Sequence, residues 1–263
     1  MNAPFAYSTE TPNNQWMHDM TPEERALDLP KAFSQFLELY RFLAGEAFVQ
    51  ILPTPFECGL QDLVFTANLA FIPEHLIDDK VVIISNFSSP PRKEETGVGV
   101  DFFTAMGYAV HVCPYRFEGE AELKHLHGNV YIGGYGERSS SEAYRWMENA
   151  FSMRIIDVKQ TDPYSYHLDG CVFPIVDQNS AIATDLLSDE ELRSIAKVTN
   201  IVPVDNTTAK MGGCNSLILG EHWLNGTVIE DLGKNHQLYE SELHKNTEIE
   251  RIASEYGKKA KFF

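Results

Sequence analysis

The order of apolar runs and helix-patterned stretches in this chain predicts an α/β fold built from a repeated ββαβ element. Three observations carry that expectation. Two short apolar runs, a stretch of helical periodicity and a third apolar run recur in the same order along the sequence. No Gly/Ser-rich or Pro-rich linker divides the 263 residues, so a single domain spanning 1–263 is expected. A hydrophobic share of 43% and a charged share of 22% suit a well-buried globular core.

The first repeat reads as Leu63–Phe71 and Val81–Ile84, a helix near Glu94–Met106, and Tyr108–Val112. The second has Leu123–Leu126 and Val130–Ile132, a helix near Ser141–Phe151, and Arg154–Val158. In the third, Cys171–Ile175 and Ala181–Thr184 precede a helix that opens on Ser188-Asp-Glu-Glu191, and Asn200–Val204 follows it. Ser188 and Glu191 have the spacing of a capping box, in which each side chain satisfies a free backbone donor. The fourth has Ser216–Leu219 and Gly226–Ile229, a helix near Glu240–Tyr256, and Lys259–Phe263. A period of about 45–60 residues is that of a propeller or an array.

The N-terminus reads as part of a fifth repeat. Phe5–Tyr7 is expected as a strand, and Thr21-Pro-Glu-Glu24 as a helix start with an N-cap residue and Pro at the first position. Phe33, Phe36, Leu37, Tyr40 and Leu43 keep helical spacing after it, and Phe48–Leu52 reads as a strand. Closing a ring of five then requires one further inner strand, expected after Phe263, so the chain is expected to be C-terminally incomplete. An open edge of that kind can take a strand from another copy, which makes a homo-oligomer a candidate partner.

A net charge of −17 argues against nucleic acid or an anionic membrane as partner, but is compatible with a cationic small molecule. No apolar run approaches the ~18 residues of a membrane span. The polar first twenty residues, among them Asn13, Asn14, Gln15 and His18, lack a signal-peptide core. Cys58, Cys113, Cys171 and Cys214 are scattered without C-x-x-C spacing, so reduced thiols in a cytoplasmic setting are expected, with no metal site and no cofactor.

Several polar groups stand out. Asp62 and Asn68 bracket an apolar stretch, which is either turn chemistry or a polar site. Glu118 stands on a Gly turn, in itself a weak signal. His167-Leu-Asp169 reads as the start of a strand, whose alternation would place His167 and Asp169 on one face beside Val172 and Phe173. A lone strand histidine is usually structural, whereas a His–Asp pair beside an apolar wall points toward binding or reaction. Collected together these groups suit a guanidinium. It is planar, always charged and rich in N–H donors, so carboxylates and an amide can bind it. Attack on its central carbon calls for a thiolate, with a histidine to protonate the leaving nitrogen and activate water.

At this point the residues resemble a known family. Asp62–Asn68 is similar to the V-F-T-A-N motif of dimethylargininases and related amidinohydrolases, and Phe117-Glu-Gly119 to their guanidinium-binding E-G-G-D turn. Ser89-Pro-Pro-Arg-Lys-Glu-Glu95 resembles their substrate-gating P-x-R-x-x-E stretch, and Gly134–Ala143 their Arg-containing segment. His167-Leu-Asp169 resembles the H-L-D motif of arginine deiminases. The resemblance covers nearly the whole chain, in the family's order. It implies a five-bladed α/β-propeller, the pentein fold, and a hydrolase of guanidino C–N bonds in arginine or a derivative, through a Cys-thiouronium intermediate. An amidinotransferase on the same fold, or a non-catalytic propeller that binds without reacting, are the alternatives.

Carried over by position, the resemblance implies His167 as general acid/base, Glu118 as guanidinium ligand and Asp169 as its support. Asp62 and Arg138 would hold the amino and carboxylate ends of the substrate, with Asn68 at the wall and Arg92 on a mobile loop. Asn68 departs from the deiminases, which have Asp there, and is similar to arginine dihydrolases. Glu120-Ala-Glu122 departs from the G-D of the turn, with Glu122 standing near the Asp place. Cys214 is disfavoured as nucleophile. It follows His167 too soon, and Gly213-Cys-Asn-Ser-Leu217 with Asn225–Ile229 resembles a structural hairpin of the fourth repeat. The nucleophile is expected beyond Phe263.

Overall fold

In a computed structural model, which describes residues 1–55 and 59–263, the repeated order of elements becomes four three-stranded sheets of one topology. Cys58 lies outside the described residues. Two helices come first, α1 (Gln15–Asp19) and α2 (Leu29–Glu46). The first sheet holds β1 (Ala70–Phe71) and β2 (Val81–Ile84), then α3 (Glu95–Ala105), then β3 (Ala109–Val112). β1 runs antiparallel to β2, and β2 runs parallel to β3. The crossover through α3 is what a parallel pair requires.

The same pattern recurs three times. The second sheet is β4 (Leu123–His127), β5 (Val130–Tyr135), α4 (Ser141–Phe151) and β6 (Arg154–Lys159). The third is β7 (Val172–Pro174), β8 (Asn179–Ala183), α5 (Asp189–Ile195) and β9 (Asn200–Val204). After α6 (Asn206–Lys210) comes the fourth, β10 (Ser216–Leu219), β11 (His222–Asn225), α7 (Tyr239–Glu255) and β12 (Lys259–Phe262). In each sheet the middle strand is antiparallel to the first and parallel to the third. The chain forms two compact units, Met1–Tyr166 with the first two sheets and His167–Phe263 with the last two.

In the first unit α4 buries Ala143, Tyr144, Met147 and Phe151 against Phe117, Leu123 and Tyr131. Those four lie at helical spacing, and each large side chain contributes about 1.5–3 kcal/mol by leaving water. Gly133 on β5 makes room for this packing, since a Cβ there would stand 2.7 Å from the Tyr144 ring. In the second unit α7 buries Ile249, Ile252 and Ala253 together with the ion pair Glu242–Lys245 at 2.8 Å. Glu242 also accepts from the hydroxyl of Thr227 at 2.9 Å and the backbone of Val228 at 2.9 Å, so the charge is hydrogen-bonded as well as paired.

Ser188 and Glu191 form the capping box expected of them: the Glu191 N–H donates to Ser188 Oγ at 3.3 Å, and the Ser188 N–H to Glu191 Oε2 at 2.8 Å.

Other expectations are corrected. Leu63–Leu69 is not strand: a turn leads into the 3-10 helix Thr66–Asn68, and only Ala70–Phe71 pair. Gly226–Ile229 is not the second strand of the fourth hairpin. Gly220, at φ +56, allows a tight turn after Leu219, and pairing resumes already at His222.

At the N-terminus, Thr21 and Glu24 do exchange capping bonds, yet only a turn follows. A helix running on from Thr21 would carry Pro30 in its interior, at a cost of about 3 kcal/mol. The helix starts instead at Leu29, capped by Asp28, with Pro30 in its first turn. Phe5–Tyr7 is not a strand, since Phe5 packs edge-on against Phe33. Of Phe48–Leu52 only Leu52 pairs, in a single parallel bridge with Asn2. The apolar stripe of α2 forms, but none of its residues is buried.

Candidate functional site

The first unit brings together Asp62, Asn68, Arg92, Glu118 and Arg138, all less than one-tenth exposed. Asp62 stands in the turn after Gln61. Its carboxylate accepts from Asn13 Nδ2 at 2.7 Å and from Gln61 Nε2 at 3.3 Å. Burial pushes the Asp62 carboxyl up from the ordinary range, and the charge of Arg92 pulls against that shift.

Glu118 is wholly buried and directly precedes the 3-10 helix Gly119–Ala121. The backbone geometry here needs glycine. Gly119 has φ +62, and a Cβ on it would lie 2.5 Å from the carbonyl oxygen of Ala67 and 2.7 Å from that of Asn68. This close approach sets Glu118 beside the Asn68 turn, whose own carbonyl accepts from Ser85 Oγ at 2.5 Å. The Glu118 N–H donates to Ser139 Oγ at 3.1 Å, and both carboxylate oxygens lie 3.4 Å from Arg138 Nη1. Nearby, Glu122 is buried and Glu120 pairs with Lys124 at 2.5 Å.

Arg138 lies in the loop between β5 and α4. Its guanidinium stacks over the Tyr166 ring at 4.7 Å, and Nη2 donates to the carbonyl of Asn13. Arg138 and Asn13 line an open cavity of about 310 Å³ with Thr11, His18, Ser89 and Glu137. Ser89 Oγ in turn donates to Asn13 Oδ1.

Arg92 was expected on a mobile loop. It ends the 3-10 helix Pro90–Arg92 and is 3% exposed, its Nε and Nη2 both bound to Glu95 at 2.9 and 2.7 Å. Burial opposes the charge on Arg92, but Glu95, Glu118 and Asp62 together outweigh it and raise its pKa. Glu95 is itself pushed up to about 6, by burial first, with Arg92 working in the other direction. The result is a buried cluster of three carboxylates and two guanidinium groups. Such a set has the charges to offer charge-assisted hydrogen bonds to a cationic or zwitterionic group.

The second unit opens on His167 and Asp169. His167 is half-buried and Asp169 is 9% exposed. Their shared strand face is a correction: Leu168–Gly170 is a 3-10 helix, and β7 starts only at Val172. With three residues per turn, neighbours at i and i+2 point in different directions, so alternation does not apply. Cys214 lies fully buried in the turn ahead of β10, and Cys113 and Cys171 are buried too. Burial pushes the Cys113 thiol up to about 11. Among the described residues no group of three or more His, Cys, Asp or Glu is arranged to hold a metal ion, and no helix is long and apolar enough to cross a membrane.

Sequence reasoning passed over Asn13 and Glu95 as site residues. Glu95 had a signal, since it closes the P-x-R-x-x-E stretch; Asn13 had none beyond its polarity.

No protein-family model matches this sequence. The chain is 24% identical over 181 residues to N(G),N(G)-dimethylarginine dimethylaminohydrolase of Mycobacterium tuberculosis, a match covering 69% of this chain and 56% of that protein. This chain therefore aligns with little more than half of that relative's length. It is 26% identical over 239 residues to an uncharacterised protein of Caenorhabditis elegans, covering 89% of this chain and 78% of the other. Among solved structures, the N-terminal domain of ArgZ, a cyanobacterial arginine dihydrolase, superposes with a TM-score of 0.83 at 20% identity, over 100% of this chain and 88% of that one. The DDAH of Pseudomonas aeruginosa superposes with a TM-score of 0.68 at 17% identity, over 90% and 82% of the two chains. Sequence homology to a dimethylarginine dimethylaminohydrolase and the fold shared with ArgZ and DDAH support a likeness of this chain to the guanidino-group-modifying pentein family.

Proposed function

We propose that this chain is a guanidino-group hydrolase scaffold that takes arginine or an arginine derivative as its ligand. The observation that carries the reading is the buried cluster of Asp62, Glu118, Arg92 and Arg138, which offers carboxylates to cationic groups and guanidinium N–H donors to an anionic one. Glu118 binds the substrate guanidinium, while Asp62 and Arg138 take the amino and carboxylate ends, with Arg92 beside them and Asn68 at the wall. His167 is the general acid/base and Asp169 supports it. In this chemistry a thiolate attacks the guanidino carbon, the C–N bond breaks as the leaving amine takes a proton from the His167 imidazolium, and water deprotonated by His167 then attacks the thiouronium carbon and releases the thiolate. Cys214 is not assigned the thiolate's role, because it follows His167 too soon in the chain and stands in the turn that leads into the β10–β11 hairpin.

Related structures add support: ArgZ has been captured with its substrate, with its product and covalently bound to a reaction intermediate, and the Pseudomonas DDAH with citrulline. We read residues 1–263 as one five-bladed propeller domain, supported by the four repeats of one topology and by the superposition on a single ArgZ domain over the full chain. A cytoplasmic location is supported by Cys113, Cys171 and Cys214, which are free thiols.

Calorimetric titration with arginine, methylated arginines and agmatine tests the reading. Saturable binding that Glu118→Gln weakens by about tenfold or more, the weight of a lost charge-assisted bond, is the expected result. Absence of binding to every guanidino compound overturns it. Where turnover is seen, the products separate the reactions: citrulline reports one nitrogen removed, and ornithine two.

A further inference from the structure

We propose that Arg138 is an internal competitor that sets specificity: in the empty site its guanidinium occupies Glu118, and a carboxylate on the ligand draws it off. The proposal rests on the guanidino reading above and adds how the site selects among guanidines.

Arg138 presents to Glu118 the same chemical group that the ligand would present. Its Nη1 lies 3.4 Å from each Glu118 oxygen, so one nitrogen is shared between two acceptors. That contact is loose beside the Arg92–Glu95 pair, where two nitrogens meet two oxygens at 2.9 and 2.7 Å. The rest of the Arg138 guanidinium is held by neutral partners, the Asn13 carbonyl and the face of the Tyr166 ring at 4.7 Å.

Access favours exchange over simple addition. Arg138 lines the open cavity of about 310 Å³, whereas Glu118 has no exposed surface. A guanidinium arriving through that cavity meets the Arg138 cation before it reaches Glu118, and like charges repel. Arg138 also acts on Asp62, so it balances two carboxylates of the cluster at once. Displacing it with nothing in return leaves a guanidinium that is 5% exposed short of a counter-ion. An amino-acid ligand avoids that loss, because partners are exchanged one for one. Its guanidinium takes Glu118, its carboxylate takes Arg138, and its ammonium replaces the charge that Arg138 supplied to Asp62. Arg138 stands on the loop between β5 and α4 and borders open space, so the swing requires no movement of a strand or helix.

Agmatine is arginine without the carboxylate. Calorimetric affinities for the two are measured at pH 8 on the parent chain and on Arg138→Gln. The substitution is expected to weaken arginine by about tenfold and to strengthen agmatine by about tenfold, since it removes both the carboxylate contact and the competitor. An Arg138 that only contacts the carboxylate leaves agmatine unchanged, and one that only supports the fold weakens both ligands. Either result overturns the proposal.

A second measurement uses the unaltered protein and decides the matter if the variant does not fold. Arginine is split into ethylguanidine and alanine, and each is titrated with and without the other by ligand-observed NMR. Competition by Arg138 links the two: alanine is expected to tighten ethylguanidine by about threefold or more, and ethylguanidine to tighten alanine by the same factor. An ethylguanidine affinity that alanine does not move overturns the competitor role and leaves the guanidino reading in place. A parent chain that binds no guanidino compound overturns that reading itself, and the competitor role with it.

Discussion

The buried charged side chains of the first unit are costly as single residues and useful as a set. A carboxylate shut away from water is raised in pKa unless partners compensate, and Glu95 keeps a residual rise to about 6 despite its two bonds to Arg92. The folded state thus prefers the neutral acid more than the unfolded chain does. This favourable contribution is complete below the unfolded value of 4.5 and is lost as pH rises through 6. The expected size is about 2 kcal/mol, from the difference between the two values. Urea unfolding of the parent and Glu95→Gln between pH 4 and 7.5 checks it. The variant should gain about that much stability relative to the parent across the window, and parallel pH profiles count against the assignment.

At the scale of elements, the contrast between α2 and α4 is the clearest lesson. Both show apolar residues at helical spacing, so sequence predicts an amphipathic helix for each. α4 buries its stripe and α2 does not. Met147→Ala on α4 should therefore cost about 2–5 kcal/mol, while Leu37→Glu on α2 stays within about 0.5 kcal/mol. Urea midpoints of the two variants measure the contrast, and a severe loss from Leu37→Glu shows that the α2 stripe is covered after all. Helix existence was legible because periodicity is local. The Thr21 start failed because two signals competed, a good cap at Thr21 and a proline at Pro30 that no helix interior tolerates. Strand limits at Leu63–Leu69 and Gly226–Ile229 failed for a different reason: short apolar runs do not distinguish a strand from a buried turn.

The whole molecule repeats one ββαβ topology four times and distributes the proposed functional residues over two compact units. It also buries Cys113, Cys171 and Cys214. A thiol that is both out of reach of reagent and raised in pKa, as Cys113 is to about 11, reacts slowly at neutral pH. Maleimide labelling mapped by mass spectrometry should leave these three unmodified in the native chain and label all of them in urea. Rapid native labelling of Cys214 would restore it as a candidate nucleophile.

By itself the sequence determined the repeat, the α/β class and the capping box of α5, and its motifs singled out Asp62, Glu118 and Arg138, which the fold then buries near one another. Each of these depends on local spacing or on a short motif, and local order survives in one dimension. Tertiary structure alone decided that Gly119 packs on the Ala67–Asn68 backbone, that Asn13 reaches Asp62 across the chain, and that Arg92 is clamped by Glu95 rather than carried on an open loop. It also turned His167–Gly170 out of the strand pattern. The physical reason is common to these cases. Burial, desolvation and partner choice are set by residues distant in the chain, and a carboxylate's raised pKa or a guanidinium's clamp exists only once those neighbours have arrived.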